Sequence, residues 1–157
     1  MAKAPNKRAL LDELAAKLRQ DLDVLGRAHR AAIEGATHEQ AKPENDKDTR
    51  ALEQSYLARG QAARVEALTR GLAEVVELSR EPAARVMLGA LVTVDDDGEE
   101  RTLLVASEGG GLTLGAGVQV VTPRSPLGQA LLGKTAGDAC EVRLAGKLRE
   151  LVVLRVR

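Results

Sequence analysis

A chain of 157 residues has room for one substantial core or two small ones, and its 23 basic residues balance its 23 acidic ones, so no global basic field draws it onto nucleic acid. There is no Phe, no Trp and one Tyr, which removes platforms for stacking bases, and a single cysteine, Cys140, excludes an intramolecular disulfide or a cysteine-based zinc cluster. No apolar run approaches a membrane span, and "MAKAPNKRALLDEL" lacks the apolar stretch of a secretory signal, so a cytoplasmic protein without membrane contact is expected.

The first periodic segment carries Leu11, Leu14, Leu18 and Leu25 at spacings of three, four and seven, continued by Ala28 and Ala32 and interrupted by Asp21. This spacing predicts a helix with a coiled-coil-like stripe from about Lys7 to Glu34, with Gly35 as its C-cap. A second stripe, Leu52, Tyr56, Val65, Leu68, Leu72, Val75 and Val76, predicts a helix over about Asp48–Arg80. Asp46 or Asp48 can cap its start. Two such helices joined by a short loop fold back most simply as an antiparallel hairpin, a long finger with its tip at residues 36–48. That tip holds "KPENDKDTR", where Glu44, Asp46 and Asp48 crowd together beside Lys42, Lys47 and Arg50. A solvated turn with a helix cap accounts for such a cluster; so does a device that handles a cation.

The grammar changes at "SREPAARV", and the domain boundary is placed near residue 81: a helical hairpin over 1–80, then a sheet domain over 81–157. "VMLGALVTV" and "RTLLVA" read as a β-hairpin around the polar turn "DDDGEE", "VQVVT" as a short strand, and "ACEVRL" and "LRELVVLRV" as two strands joined at "AGK". Within "SPLGQALLGKTAGD", Ser125 is a good N-cap, Pro126 suits the first helical position, Leu127, Ala130 and Leu131 form a stripe, and Gly133 stops the helix. The fold class is therefore α+β, a helical hairpin followed by an antiparallel sheet of about five strands with one short helix.

Other chemistry is thin. His29 and His38 are too far apart for a metal site; His29 is expected on a helix surface and His38 in the loop. Cys140 reads as a small apolar strand residue. "EGGGLTLGAG" lacks the spacing of a nucleotide-binding loop.

"SPLGQALLGKTAGD" closely resembles the C-terminal signature of the bacterial GreA/GreB transcript-cleavage factors, matching at Ser125, Pro126, Leu127, Gly128, Ala130, Leu131, Leu132, Gly133, Gly137 and Asp138. "VASEG" at 105–109 is similar to that family's Ser-Glu-Ala segment, and the order of parts is the same. The resemblance implies an FKBP-like second domain that docks on the rim of the secondary channel of RNA polymerase, with Ser125, Pro126, Gly128, Gln129, Lys134 and Asp138 as docking candidates. It also implies a coiled coil that enters the channel and brings acidic tip residues to the polymerase's catalytic magnesium. The candidates here are Glu44, Asp46 and Asp48. The family's tip reads Gly-Asp-x-x-Glu-Asn. In one register Glu44–Asn45 is that Glu-Asn and Ala41 replaces the aspartate; in the other Glu44 takes the aspartate's place, Lys47 falls in the second acid slot, and Asp48 is the nearest carboxylate.

The function implied is a monomeric transcription elongation factor, not itself an enzyme, that stimulates cleavage of backtracked RNA by the polymerase. It would hold no cofactor or stable metal of its own and touch nascent RNA only indirectly. Magnesium is commonly held by one or two carboxylates plus water and phosphate, so supplied oxygens can complete a two-metal site. The alternatives are a secondary-channel regulator that does not support cleavage, as anti-Gre or DksA-like proteins are, a coiled-coil adaptor that dimerises, and a peptidyl-prolyl isomerase. The last is set back by the absence of aromatics from residues 81–157.

Overall fold

A computed structural model of the chain describes residues 5–40 and 47–157, with side chains undescribed at 36–40, 47–51, 54 and 55. Helix α1 spans Lys7–Gln40 and helix α2 spans Lys47–Glu77; five strands follow, β1 (Leu91–Asp96), β2 (Glu99–Val105), β3 (Gln119–Val121), β4 (Ala139–Leu144) and β5 (Lys147–Val156), with a short helix α3 (Pro126–Leu131) between β3 and β4. Asn6 caps α1: its Oδ1 accepts from the Arg8 and Ala9 amides at 3.0 and 3.4 Å. Gly35 does not end the helix, which continues five residues to Gln40. The backbone at Gly35 is helical, not the left-handed form a glycine cap requires.

By internal contacts the chain forms two compact units, one made of Met1–Ala16 with Ala73–Arg157, the other of Lys17–Leu72. All five strands and both helix roots belong to the first.

In that first unit the sheet order is β3-β2-β1-β5-β4. β1–β2, β1–β5 and β4–β5 pair antiparallel. The sheet is antiparallel as expected except at β3, which runs parallel to β2 in the register Leu103↔Gln119 to Val105↔Val121. The intervening glycine-rich segment carries the chain back to the same end of the sheet, which a hairpin turn cannot do. The predicted turns fall in place: Asp97 and Gly98 join β1 to β2, and Ala145 and Gly146 join β4 to β5, all four with positive φ as two-residue hairpins demand.

One sheet face forms the core with α3. Val92, Val94, Leu103, Val105, Leu127, Leu131, Val142, Leu151 and Val153 are buried together. The other face is not left to solvent, since Leu91, Thr93, Leu104 and Val120 are buried as well. The helix roots supply Leu10, Leu11, Leu14 and Val75, all buried within the same unit. Three polar contacts tie those roots down: Glu13 accepts from the Gly115 amide at 2.9 Å, Arg80 pairs with Asp12 at 2.9 Å, and the Lys7 ammonium donates to the Glu81 carbonyl at 2.6 Å. Burial lowers the Lys7 pKa, partly offset by the Glu81 carboxylate.

Asp96, expected as part of a polar turn, is buried with 5% of its side chain exposed. It lies 3.0 Å from Arg101 and 3.1 Å from Arg149, and Arg101 also donates to Gln119 at 2.7 Å. One carboxylate thus staples three strands. Removing one partner of a fully buried pair costs about 3–5 kcal/mol; the guanidinium groups here are 32% and 49% exposed, which lowers the cost. Asp96→Ala is expected to destabilise the full chain by about 2 kcal/mol, read by urea unfolding; a change below about 0.5 kcal/mol would show that water satisfies the arginines equally well.

The second unit consists of the outer arms of the hairpin. Leu25 and Ala28 of α1 line one groove with Arg64 and Leu68 of α2, and Leu22 and Gly26 line another with Val65 and Thr69, so the arms run antiparallel side by side. The seam keeps a strict alternation of four and three. It consists of Leu18, Leu22, Leu25, His29 and Ala32 on α1, and Ala58, Gln61, Val65, Leu68 and Leu72 on α2. This corrects the stripes read from the sequence: Ala28 is exposed, and so are Leu52, Tyr56 and Val76, with Tyr56 at 62%. His29, expected on the surface, is a seam residue.

Candidate functional site

The docking candidates come together on a loop–helix–turn in the first unit. Ser125 sets it up. Its hydroxyl donates to the Thr122 carbonyl at 2.8 Å and accepts from the Gly128 amide at 3.0 Å, so it caps α3 while closing the turn before it. Pro126 occupies the first turn and is exposed. Gly128 is buried, and a Cβ built on it would lie 1.9 Å from the Thr122 carbonyl oxygen. Its presence in the motif is therefore a packing requirement of the turn, and it offers no side chain to a partner. Gln129 is exposed, its amide 3.5 Å from the Arg124 carbonyl. Gly133, with φ of 80°, stops α3 and donates its amide to Val86.

Lys134 and Asp138 frame the turn that follows. Lys134 is half-buried, and its carbonyl accepts from the Val86 amide. The Asp138 carboxylate accepts from the Thr135 amide at 2.8 Å and from the Thr135 hydroxyl at 3.1 Å. The backbone hydrogen bond first, then the hydroxyl and the nearby Lys134 charge, hold its pKa below the ordinary carboxylate value. A lowered folded pKa means that ionised Asp138 favours the fold above the ordinary carboxylate range, and that this contribution is lost as pH falls through the folded value. Asp138→Asn is accordingly expected to lower the unfolding midpoint at neutral pH and to leave it unchanged in strong acid. Equal losses at both would assign the effect to packing.

The two motif segments that the sequence presents separately are spatial neighbours. Val105 pairs with Val121, and the Ala106 amide donates to the Val121 carbonyl at 3.0 Å. Arg124 then reaches across, 3.8 Å from the Glu108 carboxylate and 3.4 Å from the Ser107 carbonyl. Glu108 is largely enclosed while Arg124 is almost fully exposed. Sequence reasoning missed this pair; the available signal was that each residue flanks a matched motif. Arg124, Pro126, Gln129 and Asp138 are exposed along this loop–helix–turn, which thus presents groups of both charges to solvent.

At the other candidate site, Glu44 and Asp46 lie outside the described residues, as does the side chain of Asp48, whose backbone falls in the first turn of α2. Their proposed capping and metal-handling geometry lies outside them too. Among the described residues no group of three or more His, Cys, Asp or Glu could hold a metal ion, and no helix is long and apolar enough to cross a membrane. Cys140 is buried, and desolvation raises its thiol pKa, which disfavours the thiolate.

The family model described as "Transcription elongation factor, GreA/GreB, C-term" matches residues 81–157. The transcription elongation factor GreA of Magnetococcus marinus is 35% identical over 129 residues, covering 80% of this chain and 79% of that protein. GreA of Paracoccus denitrificans is 33% identical over 160 residues, covering 100% of this chain and 99% of that protein. Among solved structures, GreA factor homolog 1 (Gfh1) of Thermus thermophilus is 25% identical and covers 91% of this chain and 94% of its own, with a TM-score of 0.41.

Proposed function

Because this chain belongs to the GreA/GreB family of transcription elongation factors, we propose that it binds RNA polymerase through the turn around α3 and stimulates cleavage of backtracked RNA with the acids at the hairpin tip. The observation that carries the reading is the placement of Glu44, Asp46 and Asp48 in and beside the six-residue connection between helices of 34 and 31 residues. From Lys17 to Gln40 the first arm alone rises about 36 Å. A narrow pair of helices of that reach can deliver carboxylates where a globular surface cannot go.

In this reading the factor carries no reaction by itself. The polymerase supplies the metal site and the scissile phosphodiester. Glu44, Asp46 and Asp48 would offer hard oxygen ligands to a magnesium ion of the polymerase, whose chemistry when bound would be Lewis-acid activation of water. Docking would rest on Ser125, Pro126, Gln129, Lys134 and Asp138, with Gly128 fixing the backbone beneath them.

A second reading keeps the partner and omits cleavage. It is favoured by Ala41 or Lys47 standing where the family's tip carries an acid. A stalled elongation complex backtracked by a few nucleotides separates the two. Addition of the full chain is expected to release short 3′ RNA fragments and restore elongation. Binding to the complex with no fragment released, at any magnesium concentration, would establish the second reading.

A further inference from the structure

The two edges of the sheet are finished differently. β3 forms one edge, and the chain covers it with its own preceding segment: the Val120 amide donates to the Leu112 carbonyl at 2.9 Å, the Gly111 amide to the Val120 carbonyl at 3.0 Å and the Leu114 amide to the Val118 carbonyl at 2.7 Å. β4 forms the other edge. It is six residues long, pairs with β5 without a bulge, and carries neither Pro nor Lys, three devices that blunt an edge.

The register settles which backbone groups of β4 face outward. The two-residue turn at Ala145 and Gly146 makes Leu144↔Lys147 the hydrogen-bonded closing pair, and antiparallel pairs alternate from there. Val142↔Arg149 and Cys140↔Leu151 are therefore hydrogen-bonded pairs. Arg143, Glu141 and Ala139 belong to the others, so their amides and carbonyls point away from β5. Among the described residues these groups meet no hydrogen-bond partner, and all three side chains are exposed.

The fold leaves the charges on this edge unmatched. Glu141 stands directly opposite Glu150 in a non-hydrogen-bonded pair, the closer of the two kinds, where like charges oppose pairing. Arg143 stands opposite Leu148, which is 61% exposed. Among the described residues neither Glu141 nor Arg143 has an ion-pair partner. A second β4 laid antiparallel along the edge resolves both charges. With Val142 facing Val142 of the second copy, Glu141 meets the second Arg143, and Arg143 meets the second Glu141. Both residues have outward amides, so the charged pairs coincide with hydrogen-bonded ones, and on the core-facing side Cys140 comes beside Leu144. A register slipped by two residues in either direction sets Glu141 against Glu141 or Arg143 against Arg143.

We infer that the β4 edge is a self-pairing surface, on which a second copy of this chain adds its own β4 in this one register and continues the sheet across a two-fold axis. The contact is small, so the dimer is weak and reversible. This goes beyond the function proposed above and does not rest on it.

Sedimentation velocity of the full chain over a range of concentrations tests the pairing. A dimer is expected at about 100 µM and a monomer at about 1 µM. Glu141→Arg and Arg143→Glu each set like charges opposite one another on both sides of the axis, and each alone is expected to weaken dimerisation by about tenfold or more. An equimolar mixture of the two variants restores opposite charges at both positions and is expected to recover the dimer as a mixed species. A chain still monomeric at about 1 mM would overturn the inference. So would a dimer indifferent to both reversals, which would place the contact elsewhere, or a mixture that stays monomeric. Should a reversal fail to fold, as circular dichroism reads, Glu141→Pro replaces it. The amide it removes faces outward, so the edge strand tolerates it while the dimer loses a hydrogen bond on each side of the axis. Dimerisation unaffected by that proline would again overturn the pairing.

Discussion

Asp46→Asn combined with Asp48→Asn is expected to abolish stimulation of transcript cleavage, a loss of at least about tenfold, while binding to RNA polymerase is retained. Each substitution keeps the shape of the side chain and removes the charge. Magnesium discriminates sharply between a carboxylate and a carboxamide, because the charged oxygen replaces part of a tightly held hydration shell. The proposed docking residues all lie within 125–138 and include neither Asp46 nor Asp48, so the change should appear in cleavage and not in affinity. Raising magnesium should recover part of the activity, since the defect is one of metal occupancy. A companion variant, Glu44→Gln with Asp46→Asn, separates the two registers in which the tip can be aligned. If it alone is inactive, Glu44 is an essential ligand; if Asp48 dominates, the first variant is the more damaged. Asn is a good helix cap, so loss of α2's start is not expected to confound the first variant, and unfolding midpoints check this. Full cleavage activity in both variants would reduce the tip to a solvated turn.

Gly128→Ala is expected to be the most destabilising single methyl addition in the sheet domain, by about 3 kcal/mol or more. The added Cβ would stand 1.9 Å from the Thr122 carbonyl oxygen and 2.7 Å from its carbon, both backbone atoms that cannot rotate away. Relief requires α3 to lift off the turn at 122–125, which breaks the Ser125 cap and uncovers Leu127 and Leu131. Gly133→Ala is the matched control. There the methyl meets open space, and only the left-handed backbone is strained, at about 1 kcal/mol. Urea unfolding of the two variants should rank them in that order; equal effects would mean that the turn yields more readily than close-packed backbone does. The same comparison separates a glycine required by close packing from one required by its backbone conformation.

Much of this architecture was legible because local signals carried it. Ser125, Pro126 and Gly133 mark the start and stop of α3 within nine residues, and each hairpin turn carries its own glycine. What escaped reading depended on residues far apart. Asp96 looks like one of three turn acids, and its burial follows from Arg149, 53 positions away. The parallel β3 is only three residues long, and its partner strand is reached through a glycine-rich loop, so no alternating pattern announces it. In the helices, a stripe drawn by hydrophobicity alone passed over His29 and took Ala28, because an orphaned polar side chain in a seam has no sequence signature except its heptad position. The two matched motif segments were read separately; the pairing of Arg124 with Glu108 needed the parallel β3 to bring them together.

The division into a unit of contiguous residues, Lys17–Leu72, and one assembled from both ends of the chain has a kinetic meaning. The hairpin arms are short-range partners and can zip together while the remainder of the chain is still being synthesised. The sheet unit cannot close so early. Lys7 reaches the carbonyl of Arg157 across 150 positions, and Glu13 waits for Gly115. Leu10, Leu11 and Leu14 are buried in a unit whose other segment lies beyond position 72, so they are covered later than the arms of the hairpin can pair. Folding of this protein should be biphasic, with a fast helical phase and a slow phase set by loop closure between the termini. The interval between them is when the molecule is most exposed to aggregation and to proteases.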